Sequence, residues 1–360
     1  MARQPTWHPA MSEMGTAWRP RLLESTDHPI EAGAVGPLRT DGGEDSGDAG
    51  SKPSAPLGGM GEKTAGAVGG RAPGDLTLIA HRGFAGENPE NTVTAARAAT
   101  GRPAQADVGV PSRRADIIEV DVVPTAEDDV VVFHDNTLAG RDGGDRGLTD
   151  ATGVVWENDT ATVTNAEVLG SGDTVPRLST LLEAVPSDVG VNVELKNPGR
   201  YDLRFAEKLS EPTLSDRTAV WQPFVDRVVD VLDNHENPIL CSSFCEGALA
   251  ATRGASSYPV APILWESIDD GLAVARAHDA AAVHAPMKLI AGTSFHEPLL
   301  TTGVDLVAEA HADGRAVNVW TVKTWHQAAE LAAAGVDGIA ADYSGLLPAS
   351  VDAPVEHDQS

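Results

Sequence analysis

Glu119 and Asp121 stand two residues apart in Ile117-Ile118-Glu119-Val120-Asp121, a short apolar run with the make-up of a buried strand. On a strand, side chains two apart point to the same face. Two carboxylates held that close repel each other unless a cation or a proton lies between them. Glu194 lies near the end of a second such run, Val191-Asn192-Val193-Glu194-Leu195, and offers a third oxygen ligand. Three carboxylates around one point suit a hard divalent ion, Mg²⁺ or Ca²⁺. The competing reading of the same residues is a salt-bridge cluster in which Lys196 neutralises Glu194.

His81, in Ala80-His81-Arg82-Gly83, and His134, at the end of Val130-Val131-Val132-Phe133-His134, form a second constellation. A lone histidine after an apolar run is usually structural. Two of them flanking a carboxylate-bound metal could give and take protons near neutrality, because an unperturbed imidazole has a pKa of roughly 6.5. Arg82 adds a planar fork of donors suited to phosphate, and Lys196 adds a point charge. Together the parts match phosphodiester cleavage: cations stabilise the equatorial charge while two imidazoles serve the attacking and leaving oxygens. The other histidines carry no expected role, and neither a Walker loop nor a nucleophile elbow is present.

These residues converge only if the elements bearing them end at one place. Strand-like runs occur at residues 76–80, 117–121, 191–195, 238–241, 260–264, 281–283, 316–320 and 337–340. Helical patterns lie between them at 92–99, with Asn91 as N-cap, and at 224–232, 271–278, 304–311 and 327–334. Eight strands alternating with helices predict an α/β fold, a TIM (β/α)₈ barrel, with a small insertion after the second strand at about residues 135–173. A doubly wound sheet competes, but no Gly-x-Gly-x-x-Gly turn follows the first strand. In a barrel the catalytic residues sit at the C-terminal ends of strands. His81, Asp121, Glu194 and Trp320 each close one.

Upstream, the stretch from about Glu31 to Gly74 is dominated by Gly, Ala, Ser, Pro and charge and lacks apolar periodicity, and residues 1–74 are expected to form a disordered or loosely attached extension. The barrel is expected over 75–348, with 349–360 as a flexible tail. The chain carries 53 acidic and 26 basic side chains, a net charge of −27, and its basic residues are 20 Arg against six Lys. Such a charge repels nucleic acid and anionic membrane surfaces. With 41% hydrophobic residues it also predicts a globular protein adapted to high salt, where self-repulsion is screened; the alternative is an ordinary acidic cytosolic protein. Cys241 and Cys245 are too few for a disulfide framework and are expected to be buried free thiols. No signal-like or membrane-spanning apolar run occurs, which predicts a cytoplasmic protein without stable membrane insertion.

Six short motifs in order resemble the glycerophosphodiester phosphodiesterase family. They are His81-Arg82-Gly83 with Pro89-Glu90-Asn91-Thr92; Glu119-x-Asp121; Phe133-His134-Asp135-Asn136-Thr137-Leu138; Glu194-x-Lys196; Val319-Trp320-Thr321-Val322; and Gly335-Val336-Asp337-Gly338-Ile339 with Asp342. The resemblance spans about residues 76–347. It implies Glu119, Asp121 and Glu194 as ligands of one divalent ion, His81 and His134 as general acid and base, Arg82 and Lys196 on the phosphate, and Trp320 lining the pocket. The implied substrate is a small glycerophosphodiester, split into glycerol phosphate and an alcohol. Lys323 and Ser344 depart from the family pattern, where Asn and Pro are common. A phospholipase acting on intact lipid and a non-catalytic barrel that binds a phosphorylated ligand are the alternatives; 4% aromatic content speaks against the first, and the full set of five acid, base and metal residues against the second.

Overall fold

The structure is a computed structural model that describes residues 75–101, 113–139, 148–301 and 303–347. The expected extension at 1–74, the tail at 349–360 and part of the insertion (140–147) lie outside the described residues. Eight parallel strands form a nearly closed barrel: β1 (Thr77–His81), β2 (Ile117–Pro124), β4 (Gly190–Leu195), β5 (Ile239–Ser243), β6 (Val260–Pro262), β7 (Ala282–Pro286), β8 (Ala316–Val322) and β9 (Gly338–Ala341). A short ninth strand, β3 (Val130–Val132), pairs antiparallel with the end of β2. The order around the sheet is β6-β5-β4-β2-β1-β9-β8-β7, and β6 meets β7 through Ile263 and His284. This is a TIM barrel, and all eight expected strands belong to it.

Helices cover the outside: α1 (Val93–Thr100), α2 (Thr160–Thr164), α3 (Leu178–Leu182), α4 (Glu211–Leu232), α5 (Glu246–Ala255), α6 (Ile268–Ala277), α7 (Pro298–Thr301), α8 (Leu306–Ala312) and α9 (Trp325–Ala333). α4 begins 13 residues before the expected start at 224. Its first half is polar and Pro223 interrupts the pattern, so only the part burying Phe224, Val225, Val228, Val229 and Leu232 announces itself in the sequence. At α1 the cap is Thr92, whose hydroxyl accepts the Ala95 N–H, and not the expected Asn91.

The main core fills the space between strands and helices, with Trp221, Leu178, Leu181 and Val193 fully covered. The insertion packs as more than a loop. Val123, Val131, Phe133, Leu138, Val155, Val163 and Val168 make a second apolar cluster beside the barrel mouth. That cluster anchors the segment carrying His134. Cys241 and Cys245 are buried free thiols, and burial pushes both up to about 12. Among the described residues no helix is long and apolar enough to cross a membrane.

Candidate functional site

Strand register brings the chemistry together. His81 at the end of β1 pairs with Glu119 on β2, and Asp121 pairs with Glu194 on β4. The carboxylates of Glu119, Asp121 and Glu194 each offer an oxygen within 4.8 Å of the others. All three residues are buried. Burial, with repulsion from Asp121 and Glu194, pushes the Glu119 carboxyl well above the usual carboxylate range. Burial raises Glu194 too, partly offset by Lys196. It would also raise Asp121, but Lys196 and Arg82 beside it hold that carboxyl well below the usual range.

The salt-bridge reading is realised in part. Lys196 Nζ lies 2.6 Å from Glu194 Oε1 and 3.4 Å from Asp121 Oδ1. Arg82 Nε lies 3.2 Å from Asp121 Oδ2, and its backbone N–H donates to Glu119 Oε2 at 2.9 Å. Even so, Glu119 Oε1 and Asp121 Oδ1 are buried and accept no hydrogen bond. Three carboxylates face two cationic side chains, Glu119 Oε1 has neither hydrogen bond nor ion pair, and Asp121 Oδ1 has only the long contact to Lys196, so ion pairing does not exhaust the cluster. A buried polar atom without a partner is costly, and a hard divalent ion is what this oxygen set fits.

The turn after β1 shapes the site. Arg82, Gly83 and Phe84 all have positive φ, 52°, 78° and 63°, and for the two non-glycine residues this costs on the order of 1–3 kcal/mol each. Gly83 is required sterically as well, because a Cβ there would lie 2.7 Å from the Ala95 Cβ on α1. This turn aims the Arg82 side chain back at Glu90, 2.9 Å away, and at Asp121. Asn91 follows at φ 58°, a conformation that asparagine tolerates better than most residues. Its Nδ2 donates to Asp121 Oδ2 at 2.9 Å, which fixes that carboxylate from behind.

Both histidines are oriented. His81 Nδ1 is 2.7 Å from Asp342 Oδ1, and His134 Nδ1 is 2.7 Å from Asp135 Oδ1. A carboxylate on Nδ1 sets the tautomer and leaves Nε2 for proton exchange. His134 is tied to the cluster through the Phe133 N–H, which donates to the Asp121 carbonyl at 2.9 Å. Burial, then Arg82 and Lys196, pushes His134 down to about 4; burial and Arg82 also lower His81, against Asp342. The departing residue Lys323 reaches the same carboxylate, its Nζ 3.1 Å from Asp342 Oδ2.

Trp320 belongs to an aromatic wall on the far side of the mouth. It stacks on Trp265 with centroids 6.0 Å apart and meets Phe244 edge-on at 5.8 Å, while Phe205 stacks on Phe244 at 4.4 Å. Lys196 Nζ sits 5.6 Å from the Phe244 centroid, so the wall adjoins the carboxylates. All eight residues singled out in the sequence therefore gather at the C-terminal end of the barrel. Sequence reasoning missed Glu90, Asn91, Asp135 and Asp342 as partners, although each lies inside a run already picked out. It also missed Phe205, Phe244 and Trp265, single aromatics in loops that carry no local signal.

The model of the glycerophosphoryl diester phosphodiesterase family matches residues 81–346. The chain belongs to that family. Its members are divalent-metal-dependent phosphoric diester hydrolases, and this glycerophosphoryl diester phosphodiesterase is an enzyme of that class. It is similar to a glycerophosphodiester phosphodiesterase of Bacillus altitudinis, 27% identical over 279 residues that cover 74% of this chain and 94% of that one. Among solved structures it resembles a putative glycerophosphoryl diester phosphodiesterase from Silicibacter pomeroyi, with 26% identity, 77% and 93% coverage and a TM-score of 0.55. A phosphodiesterase from Oleispira antarctica, solved with its product sn-glycerol-3-phosphate, matches with 22% identity, 75% and 94% coverage and a TM-score of 0.55.

Asn91→Ala is expected to weaken divalent-ion binding by about 10–100-fold, the usual effect of losing a group that orients a ligand. Calorimetric titration with Mg²⁺ or Ca²⁺ checks this. Unchanged affinity would reduce Asn91 to shaping the turn.

Proposed function

We propose that this phosphodiesterase hydrolyses small glycerophosphodiesters to glycerol phosphate and an alcohol, using one Mg²⁺ or Ca²⁺ ion held by Glu119, Asp121 and Glu194. The observation that carries the reading is the pairing of that carboxylate cluster with two histidines whose Nδ1 atoms are each held by an aspartate. The bound ion would supply Lewis-acid stabilisation of phosphoryl oxygen charge. Everything else falls to side chains. Lys196 and the remaining N–H groups of Arg82 hold the phosphate, since each has more donors than its carboxylate partners consume. One imidazole Nε2 takes the proton from the attacking hydroxyl and the other gives a proton to the departing alcohol oxygen; where that hydroxyl is the substrate's own, water then opens the cyclic phosphate with the two roles reversed, and where it is water, glycerol phosphate forms directly. Asp342 and Asp135 hold each ring through Nδ1, which leaves Nε2 bare on the base and stabilises the imidazolium of the acid. Trp320, with Trp265 and Phe244, lines the pocket. The product found in the Oleispira antarctica structure is of the kind proposed.

The test is release of glycerol phosphate from glycerophosphocholine and glycerophosphoglycerol with Mg²⁺, Ca²⁺ or EDTA. Release that EDTA abolishes and metal restores is expected. Release indifferent to EDTA would remove the metal from the reading, and no release from folded protein would remove the substrate class.

Salt adaptation extends the same proposal, supported by the net charge of −27. Screening shortens from about 10 Å at 0.1 M to about 3 Å at 1 M. The melting temperature is therefore expected to rise as KCl increases across that range. A flat or falling curve would mean that the acidic surface is not an adaptation to salt.

A further inference from the structure

The interior of the barrel below the carboxylates is unusually polar. Each strand is displaced by about one residue relative to its neighbour, as the shear of such a barrel requires, so inward-facing residues from alternate strands share levels. The registers put Glu119, Ser242, His284 and Ala340 on one level, with Ile79, Asn192, Ala261 and Asn318 beneath them. Barrels usually fill these levels with Val, Ile and Leu. Here only Ile79 is bulky and apolar, and Ala261 and Ala340 are small.

Ser242 is 0% and Asn192 2% exposed, yet Ser242 Oγ and Asn192 Oδ1 have no hydrogen-bond partner in the protein. His284 is also buried, and burial pushes it down to about 4, so the ring is neutral. Asn318 Nδ2 donates to its Nε2 at 3.2 Å, which leaves the ring N–H at Nδ1. The Asn318 carbonyl oxygen occupies the space that a Cβ at Gly338 would need. Glycine at 338 therefore keeps the His284–Asn318 pair in place. Unpaired donors and acceptors beside small side chains are the setting in which buried water is retained, because water can both donate and accept there.

We propose that the barrel axis, at the level of Glu119 and the level beneath it, holds ordered water bound by Ser242 Oγ, Asn192 Oδ1 and the His284–Asn318 pair, and that this water supports the Glu119 carboxylate. Ser242 and His284 are then positioning residues for the metal site, acting through water and Glu119 without touching substrate. This rests on the proposed role of Glu119 as a metal ligand.

Two experiments test it. A high-resolution crystal structure of the full chain should show a water peak at about 2.7–3.2 Å from Ser242 Oγ or Asn192 Oδ1. A dry axis, or an ion there in place of water, overturns the proposal. In parallel, Ser242→Val and His284→Leu should lower Mg²⁺ or Ca²⁺ affinity by about 10–100-fold in calorimetry, while Ser242→Thr, which keeps the hydroxyl, retains it. Variants that lose melting temperature but keep metal affinity would show a purely structural layer and overturn the positioning role. If the substitutions do not fold, the water in the wild-type crystal decides alone. Neither readout uses hydrolysis, so wild-type protein with water and metal bound but inactive on glycerophosphodiesters would refute the proposed reaction and leave this inference standing.

Discussion

Replacing His134 with alanine is expected to lower turnover of a glycerophosphodiester by about 10²–10⁴-fold, the range that general acid–base groups supply, and His81→Ala should do the same. Both rings are positioned from Nδ1 by a carboxylate and both are partly exposed at the barrel mouth, so the fold should survive each change. Steady-state rates, with circular dichroism to confirm folding, are the measurement. Two substrate types sharpen it. A diester whose leaving group is a good one, such as a nitrophenolate, no longer needs a proton delivered to it, so the variant lacking the general acid should recover most of its rate on that substrate. The variant lacking the base should not. Full activity of both variants on every diester tested would sink the proposed mechanism.

Glu119→Gln should weaken divalent-ion binding by more than the roughly 10–100-fold that loss of an orienting partner costs, because it removes a ligand charge. The same change relieves repulsion. Burial, Asp121 and Glu194 push Glu119 upward, so neutralising it should leave the metal-free protein as stable as the parent or more so. Titration calorimetry and a melting curve in EDTA measure the two effects on one sample. Parallel loss of metal affinity and of metal-free stability would mean that Glu119 is structural, held by the Arg82 N–H and little else. Unchanged affinity would dismiss the three-carboxylate site.

Much of the site was readable because it is written at short range. Glu119 and Asp121 share a face by strand parity alone, and His81, Arg82 and Gly83 announce a turn after a strand. The parts that were not readable depend on contacts across long stretches of chain. Asp342 reaches His81 over 261 residues, and nothing local marks it as a partner. Asn91 looked like a helix cap because Asn is a good one; the left-handed turn and the Asp121 carboxylate claimed it, and Thr92 caps instead. The insertion is rich in Gly and polar residues, yet its scattered Val and Leu residues assemble a core of their own around Phe133.

By itself the sequence determined the alternation of eight strands with helices, and with it the barrel, because short runs whose outward residues are apolar alternate with helical patterns that can cover them, as a parallel sheet requires. It also determined which residue types stand at strand ends, since that is a matter of position along one strand. Only the tertiary structure decided the register between strands. Register sets Asp121 beside Glu194, stacks Ser242 and His284 with Glu119 around the axis, and gathers Phe205, Phe244, Trp265 and Trp320 into one wall. Those neighbours come from different strands and loops, and the hydrogen bonds that align them carry no mark in the residues they join.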